Sequence, residues 1–341
     1  MRITFAVVIA ALVFTSPAVA HERLDFRGQA IIPTGTTFAG TTVGGLSSIT
    51  YDKRHDRYYI LSDDQSNARF YSARLDVRDG RLTDGDVRFK DVTTLLAPNG
   101  APYPTAGLDP EGLVLTKDRR LILTSEGIPA TLIDPFVRRY RLDGSFVSDL
   151  PVPQAFRVTA DQSSGVRPNL GFEAAGTDGR HFYTATENAL FQDGPAATIA
   201  NGSPSRLLRY DLRTNRLERQ WVYETDPVAE PPVPPTAFSV NGIVEILPLD
   251  DDTLITMERS FSVGASGTGN KIKLYTVSLR GGVAHKRLLL DLDDLGIPLD
   301  NVEGMTFGPR LHGGRRSLVL VSDNNFAATQ FTQFLLFAVK G

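Results

Sequence analysis

Residues 107–127 read "GLDPEGLVLTKDRRLILTSEG", and this stretch has the pattern of a β-hairpin. Two apolar runs, 113–115 and 121–123, flank a polar turn, as expected for a pair of antiparallel strands. A carboxylate stands at each open end of the hairpin, Glu111 before the first strand and Glu126 after the second. The hairpin therefore brings two like charges to the same end.

The same layout occurs five times along the chain. Each copy has a strand, a polar turn, a second strand, and then Ser, Thr or Met followed by an acid. The copies are residues 44–64, 107–127, 170–188, 241–259 and 302–324. Equivalent residues at the start of their first strands lie 64, 62, 68 and 62 positions apart: Ser47, Glu111, Glu173, Asn241 and Glu303. Such a near-constant period is the sequence signature of a repeat architecture.

Further strand-like runs lie between the hairpins, such as 137–144 ("VRRYRLDG") and 206–214 ("RLLRYDLRT"). Each repeat thus offers four strands joined by short turns, and no long stretch has the 3.6-residue period of an amphipathic helix. The pattern predicts an all-β protein, a β-propeller of five four-stranded blades. Six blades are the alternative, if a degenerate blade lies in the loops. The last repeat has only three strands, and the N-terminal run 23–32 is expected to supply its fourth, which removes an exposed sheet edge.

The first twenty residues have the pattern of a secretory signal peptide. Arg2 precedes an apolar run over 5–14, and the small-x-small pattern of Ala18 and Ala20 predicts cleavage after Ala20. No later apolar run is long enough to cross a bilayer. We therefore expect residues 21–341 to form a single soluble propeller domain that is exported to the periplasm or secreted.

Composition excludes several classes of function. There are no cysteines, so disulfides, thiolate nucleophiles and cysteine-ligated metals are excluded. The net charge is −3 with acids and bases mixed along the chain, so no basic stripe indicates nucleic acid or anionic lipid as a partner. We expect a monomer that acts on a small molecule, without nucleic-acid binding or membrane insertion.

The propeller topology predicts where the hairpin acids meet. The first strand of each blade lines the central channel and the second runs back beside it, so the residues that enter the first strand and leave the second share one face. The entering set is Ser47, Glu111, Glu173, Asn241 and Glu303. The leaving set is Asp63, Glu126, Glu187, Glu258 and Asp323. Long connections, including 97–110 and 225–239, are expected on the same face, where binding and catalysis usually reside.

So many carboxylates near one another require either raised pKa values or a bound cation. Carboxylate, amide and hydroxyl oxygens suit Ca²⁺, which accepts about six to eight oxygens in loose geometry. His55, His181 and His312 fall in turns of the opposite face, which disfavours a transition-metal site or a Ser-His-Asp triad. The other interpretation is structural, because acids at strand ends also accept backbone hydrogen bonds that fix one blade to the next.

The segments "GLDPEGL", "NLGFEA" and "DNVEGM", each followed by a Ser/Thr-acid pair, resemble the phytase-like family described as having esterase-like activity of phytase. The resemblance covers roughly residues 43–326. It implies an exported bacterial protein that hydrolyses phosphoric esters. Ser47 and Asn241 depart from an all-acid entering ring, which leaves the number of bound ions open.

Our leading hypothesis is a Ca²⁺-dependent phosphoesterase-like propeller. The expected metal ligands are Glu111, Glu173, Asn241, Glu303 and Asp63. The residues expected to complete the metal shell or activate water are Glu126, Glu187, Glu258 and Asp323. Arg167 and Arg259 are the candidates for binding the phosphate through their forked donors. The alternatives are a Ca²⁺-dependent lactonase-type hydrolase, suggested by an asparagine among glutamates, and a non-catalytic binding protein.

Overall fold

Apolar segments separated by short polar turns form twenty-two β-strands across residues 23–340, the part of the chain that this computed structural model describes. The expected signal peptide lies outside the described residues. Helical structure within this range is limited to three short 3-10 turns: Pro129–Thr131, Gln154–Phe156 and Leu292–Leu295. None of the helices between residues 23 and 340 has the length and apolar character of a membrane span.

Five four-stranded antiparallel sheets form the blades of a propeller. The chain enters through β1 (Arg23–Ile32) and a short hairpin of β2 (Thr37–Phe38) and β3 (Thr41–Thr42). Blade 1 contains β4 (Ser48–Asp52), β5 (Arg57–Ser62), β6 (Arg69–Leu75) and β7 (Val87–Thr94). Blade 2 contains β8 (Pro110–Leu115), β9 (Leu121–Ser125), β10 (Phe136–Tyr140) and β11 (Phe146–Leu150). Blade 3 contains β12 (Phe172–Thr177), β13 (His181–Thr186), β14 (Pro204–Asp211) and β15 (Arg216–Glu224).

The last two blades complete the ring. Blade 4 contains β16 (Ser239–Pro248), β17 (Thr253–Ser262), β18 (Asn270–Ser278) and β19 (His285–Asp291). Blade 5 contains β20 (Asn301–Arg310), β21 (Arg316–Asp323) and β22 (Thr332–Lys340), and β1 is its outer strand. The first strands contact their neighbours around the axis in the order β4, β8, β12, β16 and β20, and β20 returns to β4. The prediction of five blades is confirmed.

The N-terminal strand closes the ring, as the sequence predicts. β1 pairs antiparallel with β22, and Phe26 lies opposite Phe337 with their ring centroids 5.6 Å apart. The pairing is interrupted by a bulge before Gly28, which has φ +119 and bridges to Leu82 of blade 1. A Cβ at Gly28 would lie 2.3 Å from the Leu82 carbonyl oxygen, so only glycine allows this approach. Both ends of the domain are thereby held in one sheet.

Aspartates stabilise the tight turns between first and second strands. In the β4–β5 turn, Asp52 Oδ1 accepts hydrogen bonds from the backbone N–H groups of Arg54 and His55, at 3.0 and 3.3 Å. In the β12–β13 turn, Asp178 Oδ1 accepts from Arg180 and His181, both at 2.6 Å. A side chain that satisfies its own turn in this way explains why Asp recurs there. These turns join the other ends of the same strands, so they lie on the face opposite the acid-bearing strand ends.

The apolar core lies between adjacent blades. Trp221 and Tyr223 of blade 3 pack with Ile243 and Tyr275 of blade 4 in one buried cluster, and the Trp221 indole N–H donates to the Leu279 carbonyl at 2.8 Å. Burial of each such side chain contributes about 1.5–3 kcal/mol, so the blades are held side by side mainly by apolar contact. The strand ends at the axis are therefore held in place by a packed scaffold.

One buried carboxylate connects the blades at the axis. Glu245 of β16 accepts hydrogen bonds from the backbone N–H of Ala175 in blade 3 at 2.9 Å and from the Ser48 hydroxyl of blade 1 at 3.1 Å. Ser48 Oγ in turn accepts from the Leu113 N–H of blade 2 at 3.1 Å. Burial raises the pKa of Glu245 to about 8, although these hydrogen bonds and one from the Met305 backbone of blade 5 act to lower it.

Candidate functional site

A cavity of about 810 Å³ opens where the first strands begin and the second strands end. Its floor and walls carry acids from both predicted sets. The carboxylates that line it are Asp63, Asp109, Glu111, Glu173, Glu187, Glu303 and Asp323. Residues on the connecting loops, among them Gln65, Asn169 and Gln330, form its rim. Acids that are far apart in the sequence are thus brought to one opening because every blade delivers the same strand ends to the axis.

Two groups of three carboxylates lie close enough to share an ion. Oxygens of Asp109, Glu111 and Glu126 all lie within 4.8 Å of one another, and so do oxygens of Glu126, Glu173 and Glu187. Glu126 belongs to both groups. The first group combines the two ends of the blade 2 hairpin, and the second connects blade 2 to blade 3.

Glycines beside the acids make room for this crowding. A Cβ at Gly171 would lie 2.3 Å from the Glu126 carbonyl oxygen, and one at Gly242 would lie 2.2 Å from Glu187 Cγ. Both contacts are far shorter than any side chain tolerates. The Gly171 N–H also donates to Glu126 Oε1 at 2.7 Å. Gly171 and Gly242 therefore leave room for Glu126 and Glu187 of the neighbouring blades.

Burial and mutual repulsion raise the pKa values of these acids. Burial has the largest effect for all of them, and neighbouring carboxylates add to it at Glu111, Glu126 and Glu173, whose pKa values lie well above the ordinary range. The pKa of Asp63 is raised to about 7 by burial and then by Glu303. That of Glu187 is also raised to about 7 by burial, although Arg259 acts to lower it. The cluster must take up protons or a cation near neutral pH.

Two carboxylate oxygens at this site, Asp63 Oδ1 and Glu187 Oε1, are buried without a hydrogen-bond partner within residues 23–340, and so is the side-chain oxygen of Asn270, which also lines the cavity. An unpaired buried acceptor is costly, by about 1–3 kcal/mol or more for a charged group. Carboxylate oxygens from several strands that converge on a polar cavity, with free acceptor capacity, are the ligand chemistry that Ca²⁺ requires. The residues present therefore fit a hard divalent cation.

Arg259 is the positively charged side chain among the described residues that line the cavity. It follows Glu258 on β17 and is 11% exposed. Its Nη2 donates to Glu303 Oε1 at 2.9 Å and lies 3.6 Å from Glu187 Oε1. Burial acts to lower the pKa of the guanidinium, but Glu187, Glu303 and Glu173 together raise it above its ordinary value.

Glu258 and Asn241 lie beside the cavity and contact each other. The Asn241 side-chain N–H donates to Glu258 Oε2 at 2.9 Å, and the Tyr223 hydroxyl donates to Glu258 Oε1 at 2.8 Å. Lys286 forms an ion pair with the same carboxylate and with Asp226. Glu258 is therefore paired with a cation and accepts several hydrogen bonds.

Arg167 lies in the loop before β12 and is not among the residues that line the cavity, although its carbonyl accepts a hydrogen bond from the N–H of Leu170, which does line it. Its Nε donates to the Ala189 carbonyl at 3.0 Å and its Nη2 to the Gly194 carbonyl at 2.5 Å. The guanidinium also stacks over the Phe191 ring, with its carbon 4.3 Å from the centroid. These contacts connect the segment 165–167 to the loop that follows β13.

One wall of the cavity is apolar. Phe238 and Phe261 both line it, with ring centroids 6.2 Å apart, and Val240 lies beside them. Phe238 is 62% exposed, which is unusual for a large aromatic side chain. The cavity therefore presents a charged side and an aromatic side from blade 4.

Comparison with known families agrees with the architecture. The model of the family described as "Phytase-like: Esterase-like activity of phytase" matches residues 41–326. The chain belongs to the phytase-like family. The match includes all five hairpins, so the resemblance noted from the sequence motifs is confirmed. None of the curated proteins matches the sequence.

Solved structures are similar to this phytase-like chain. A thermostable family-43 glycoside hydrolase is similar with a TM-score of 0.51 and 12% sequence identity, over 91% of this chain and 96% of that one. An endo-arabinase from Bacteroides thetaiotaomicron has a TM-score of 0.48 and 13% identity, over 93% of this chain and 98% of that one. At such low identity the likeness concerns the fold alone.

The hairpin pattern in the sequence did not single out two buried acids of the phytase-like chain, Asp109 and Glu245. Asp109 lies two positions before Glu111 in the "DPE" of the first quoted hairpin, and its own carboxylate belongs to one of the groups of three. Burial raises its pKa to about 6, and a hydrogen bond from Gln65 acts to lower it. Glu245 stands alone in the apolar run "GIVEILPL", and an acid within such a run is the available signal for a buried carboxylate.

Proposed function

We propose that this phytase-like propeller is a Ca²⁺-dependent hydrolase of small-molecule esters, with phosphoric esters as the preferred class. The observation that carries the proposal is the acid-lined cavity, where oxygens of Asp109, Glu111 and Glu126 lie within 4.8 Å of one another and Asp63 Oδ1 is buried without a partner among residues 23–340. Family membership supports the choice of ester hydrolysis. The chain has no cysteine and no histidine is among the described residues that line the cavity, so oxygens are the ligands available for a metal there.

The ion would be held first by Asp109, Glu111 and Glu126, whose oxygens are within 4.8 Å of one another. Glu173 shares the second group of three with Glu126, and Asp63 and Glu303 line the same cavity. Asn241, which directs its side-chain N–H to Glu258, would contribute only through its amide oxygen. When bound, Ca²⁺ would neutralise the negative charge of the substrate and lower the pKa of a coordinated water.

The protein's own acids would move the proton. A general base works best when its pKa is near the working pH, and Glu187, with a pKa raised to about 7 by burial, meets that condition at its free Oε1. Asp323 lines the same cavity, and its pKa lies well above the ordinary range because of burial and then Asp63, so it suits the role of proton donor to a leaving group. Glu126 is assigned to the metal and to positioning water. Glu258, paired with Lys286, is assigned a supporting position.

The substrate would be oriented by the two sides of the cavity. Arg259 is assigned contact with an anionic group of the substrate, because it brings positive charge to the described lining of the cavity. Phe238 and Phe261 would bind an apolar or ring-shaped part of the ester. Arg167 would act indirectly, by holding the loop that follows β13.

The test is an ester panel assayed on chelated protein with and without added Ca²⁺. We expect turnover of a phosphomonoester or phosphodiester that is lost on chelation and restored by Ca²⁺, and lost in Glu187→Gln. Turnover of lactones alone would select the lactonase-type alternative. Ca²⁺ binding that raises the melting temperature, with no substrate turned over, would select the non-catalytic alternative.

We further propose that the protein is exported as a monomer. The support for export is the pattern of residues 1–20, with a small-x-small site ending at Ala20. Intact-mass analysis of protein recovered from the periplasm or medium should give a chain that starts at His21. Retention of the full chain in the cytoplasmic fraction would contradict export, and light scattering would test the monomer.

A further inference from the structure

The acids of the cavity are unequally supplied with positive charge. On the side of blades 3 to 5, Arg259 lies 2.9 Å from Glu303 and 3.6 Å from Glu187, and it also acts on Glu173. On the side of blade 2, the largest charge effects on Glu111 come from Glu173, Asp109, Asp63 and Glu126, all of them negative. Among the described residues that line the cavity, the cation Arg259 therefore lies on the side of blades 3 to 5, and the side of blade 2 has none.

The carboxylates around Arg259 have the arrangement of an ion site. Glu173 and Glu187 belong to a group of three whose oxygens lie within 4.8 Å of one another. Glu187 Oε1 has no hydrogen-bond donor within residues 23–340, since Arg259 Nη2 at 3.6 Å is too distant to donate. Glu187 itself is only 2% exposed and lines the cavity. A buried acceptor aimed into a cavity is the place where a small cation would bind.

We infer that the guanidinium of Arg259 takes the place of a metal ion on this side of the cavity. It supplies the positive charge that Glu187, Glu303 and Glu173 would otherwise draw from solution, and it confines Ca²⁺ to Asp109, Glu111 and Glu126. The part of this inference that places Ca²⁺ at Asp109, Glu111 and Glu126 rests on the proposed function. The role of Arg259 does not depend on it. A guanidinium stays charged throughout the physiological range and, unlike a metal, does not dissociate.

The arrangement has a consequence for the ion-free protein. In a cluster of acids without a cation of its own, the carboxylates would repel one another when the metal leaves. Arg259, on blade 4, continues to attract Glu303 of blade 5 and Glu187 of blade 3. Three of the five blades thus remain connected at the cavity. The Ca²⁺ site is then formed in advance on the side of blade 2, which reduces the reorganisation that binding requires.

The test is the number of Ca²⁺ ions bound per chain, measured by calorimetry and by elemental analysis after equilibrium dialysis of chelated protein. We expect Arg259→Gln to bind one ion more than the wild type, and Arg259→Lys to bind the same number as the wild type. Lys286→Gln is the matched control, because it removes a cation that is paired with a buried acid of the same blade beside the cavity. It should leave the number of bound ions unchanged.

A second variant distinguishes charge from general disruption. Arg259→Gln combined with Glu187→Gln removes the guanidinium and the orphaned carboxylate that lies 3.6 Å from it, and should return to the wild-type number of ions. We also expect Arg259→Gln to melt at a lower temperature than the wild type without Ca²⁺ and to be stabilised more than the wild type when Ca²⁺ is added. An Arg259→Gln chain that fails to fold with or without Ca²⁺ would count against the inference, because an ion could not then replace the side chain.

The outcomes separate this inference from the proposed function. An unchanged ion count in Arg259→Gln would overturn the inference and leave a Ca²⁺-binding wild type in place. A wild type that binds no Ca²⁺ would defeat the proposed function, and the gain of one ion in Arg259→Gln would still support the role of Arg259.

Discussion

Glu245→Gln tests whether a carboxyl group buried at the propeller axis is protonated in the folded protein. The Glu245 carboxylate is 1% exposed and accepts hydrogen bonds from Ala175, Ile246 and Ser48, on three different blades. Burial raises its pKa from 4.5 to about 8. In the folded protein the group is therefore protonated at neutral pH, whereas in the unfolded chain it is ionised.

The sign of the effect follows from proton linkage. A group whose pKa is raised by folding contributes stability at low pH, and this contribution is lost as the pH rises toward the folded value, here about 8. With pKa values of 4.5 unfolded and about 8 folded, the contribution falls by about 2.5 kcal/mol between about pH 5 and pH 7. Glutamine does not titrate, so Glu245→Gln lacks this loss.

The assay is urea unfolding of wild type and variant in Ca²⁺-free buffer at several values between about pH 5 and pH 7. Only the change in the free energy of unfolding with pH is compared, so any pH-independent effect of the substitution cancels. The contributions of the other acids, which are present in both proteins, cancel as well when their titration is independent of Glu245. The free energy of unfolding of Glu245→Gln, relative to that of the wild type, should rise by about 2.5 kcal/mol over this range. Glu224→Gln, an exposed acid on β15, is the control and should give a curve parallel to the wild type.

Parallel curves for wild type and Glu245→Gln would refute the reasoning. They would mean that the hydrogen bonds from the surrounding blades fully compensate the burial of the charge. A shift in the opposite direction would mean that Glu245 is ionised in the folded protein and is stabilised by its donors.

Three further substitutions test the site. Glu111→Gln should weaken Ca²⁺ binding at least about tenfold in calorimetry, because loss of one charged ligand costs about 1.4 kcal/mol or more; unchanged affinity would place the ion elsewhere. Phe238→Ala should raise KM for an aryl phosphate several-fold and leave both kcat and Tm unchanged, since the ring is 62% exposed and packs against Phe261, which also lines the cavity; a lowered Tm would instead assign Phe238 to packing. Glu258→Gln should reduce the free energy of unfolding by about 3 kcal/mol, because it breaks a buried ion pair with Lys286; a large fall in kcat without loss of stability would assign it a catalytic role.

The fold could be predicted because its signals are local. Each hairpin carries its own turn residues, such as Asp52 and Asp178, and the spacing of the hairpins gives the number of blades. Closure by the strand that begins at Arg23 follows from counting, since three strands in the last repeat leave one unpaired edge. None of these inferences requires knowledge of how side chains pack.

The sequence also predicts that the acids converge on one opening, but it does not predict the contacts that each acid makes. Topology alone brings Glu111, Glu187 and Glu303 to one cavity. Which of the acids receives a cation depends on contacts between distant residues, such as Lys286 with Glu258, and these depend on strand register and rotamer. The same holds for Arg259, whose neighbour in sequence is Glu258 but whose ion-pair partner is Glu303, 44 positions away.

The most direct test of the acid cavity as a metal site is anomalous diffraction from crystals soaked in Ca²⁺. We expect a peak about 2.3–2.6 Å from oxygens of Asp109, Glu111 and Glu126, on the side of the cavity away from Arg259. A cavity that shows no peak at saturating Ca²⁺, or a peak confined to the surface outside it, would contradict the account.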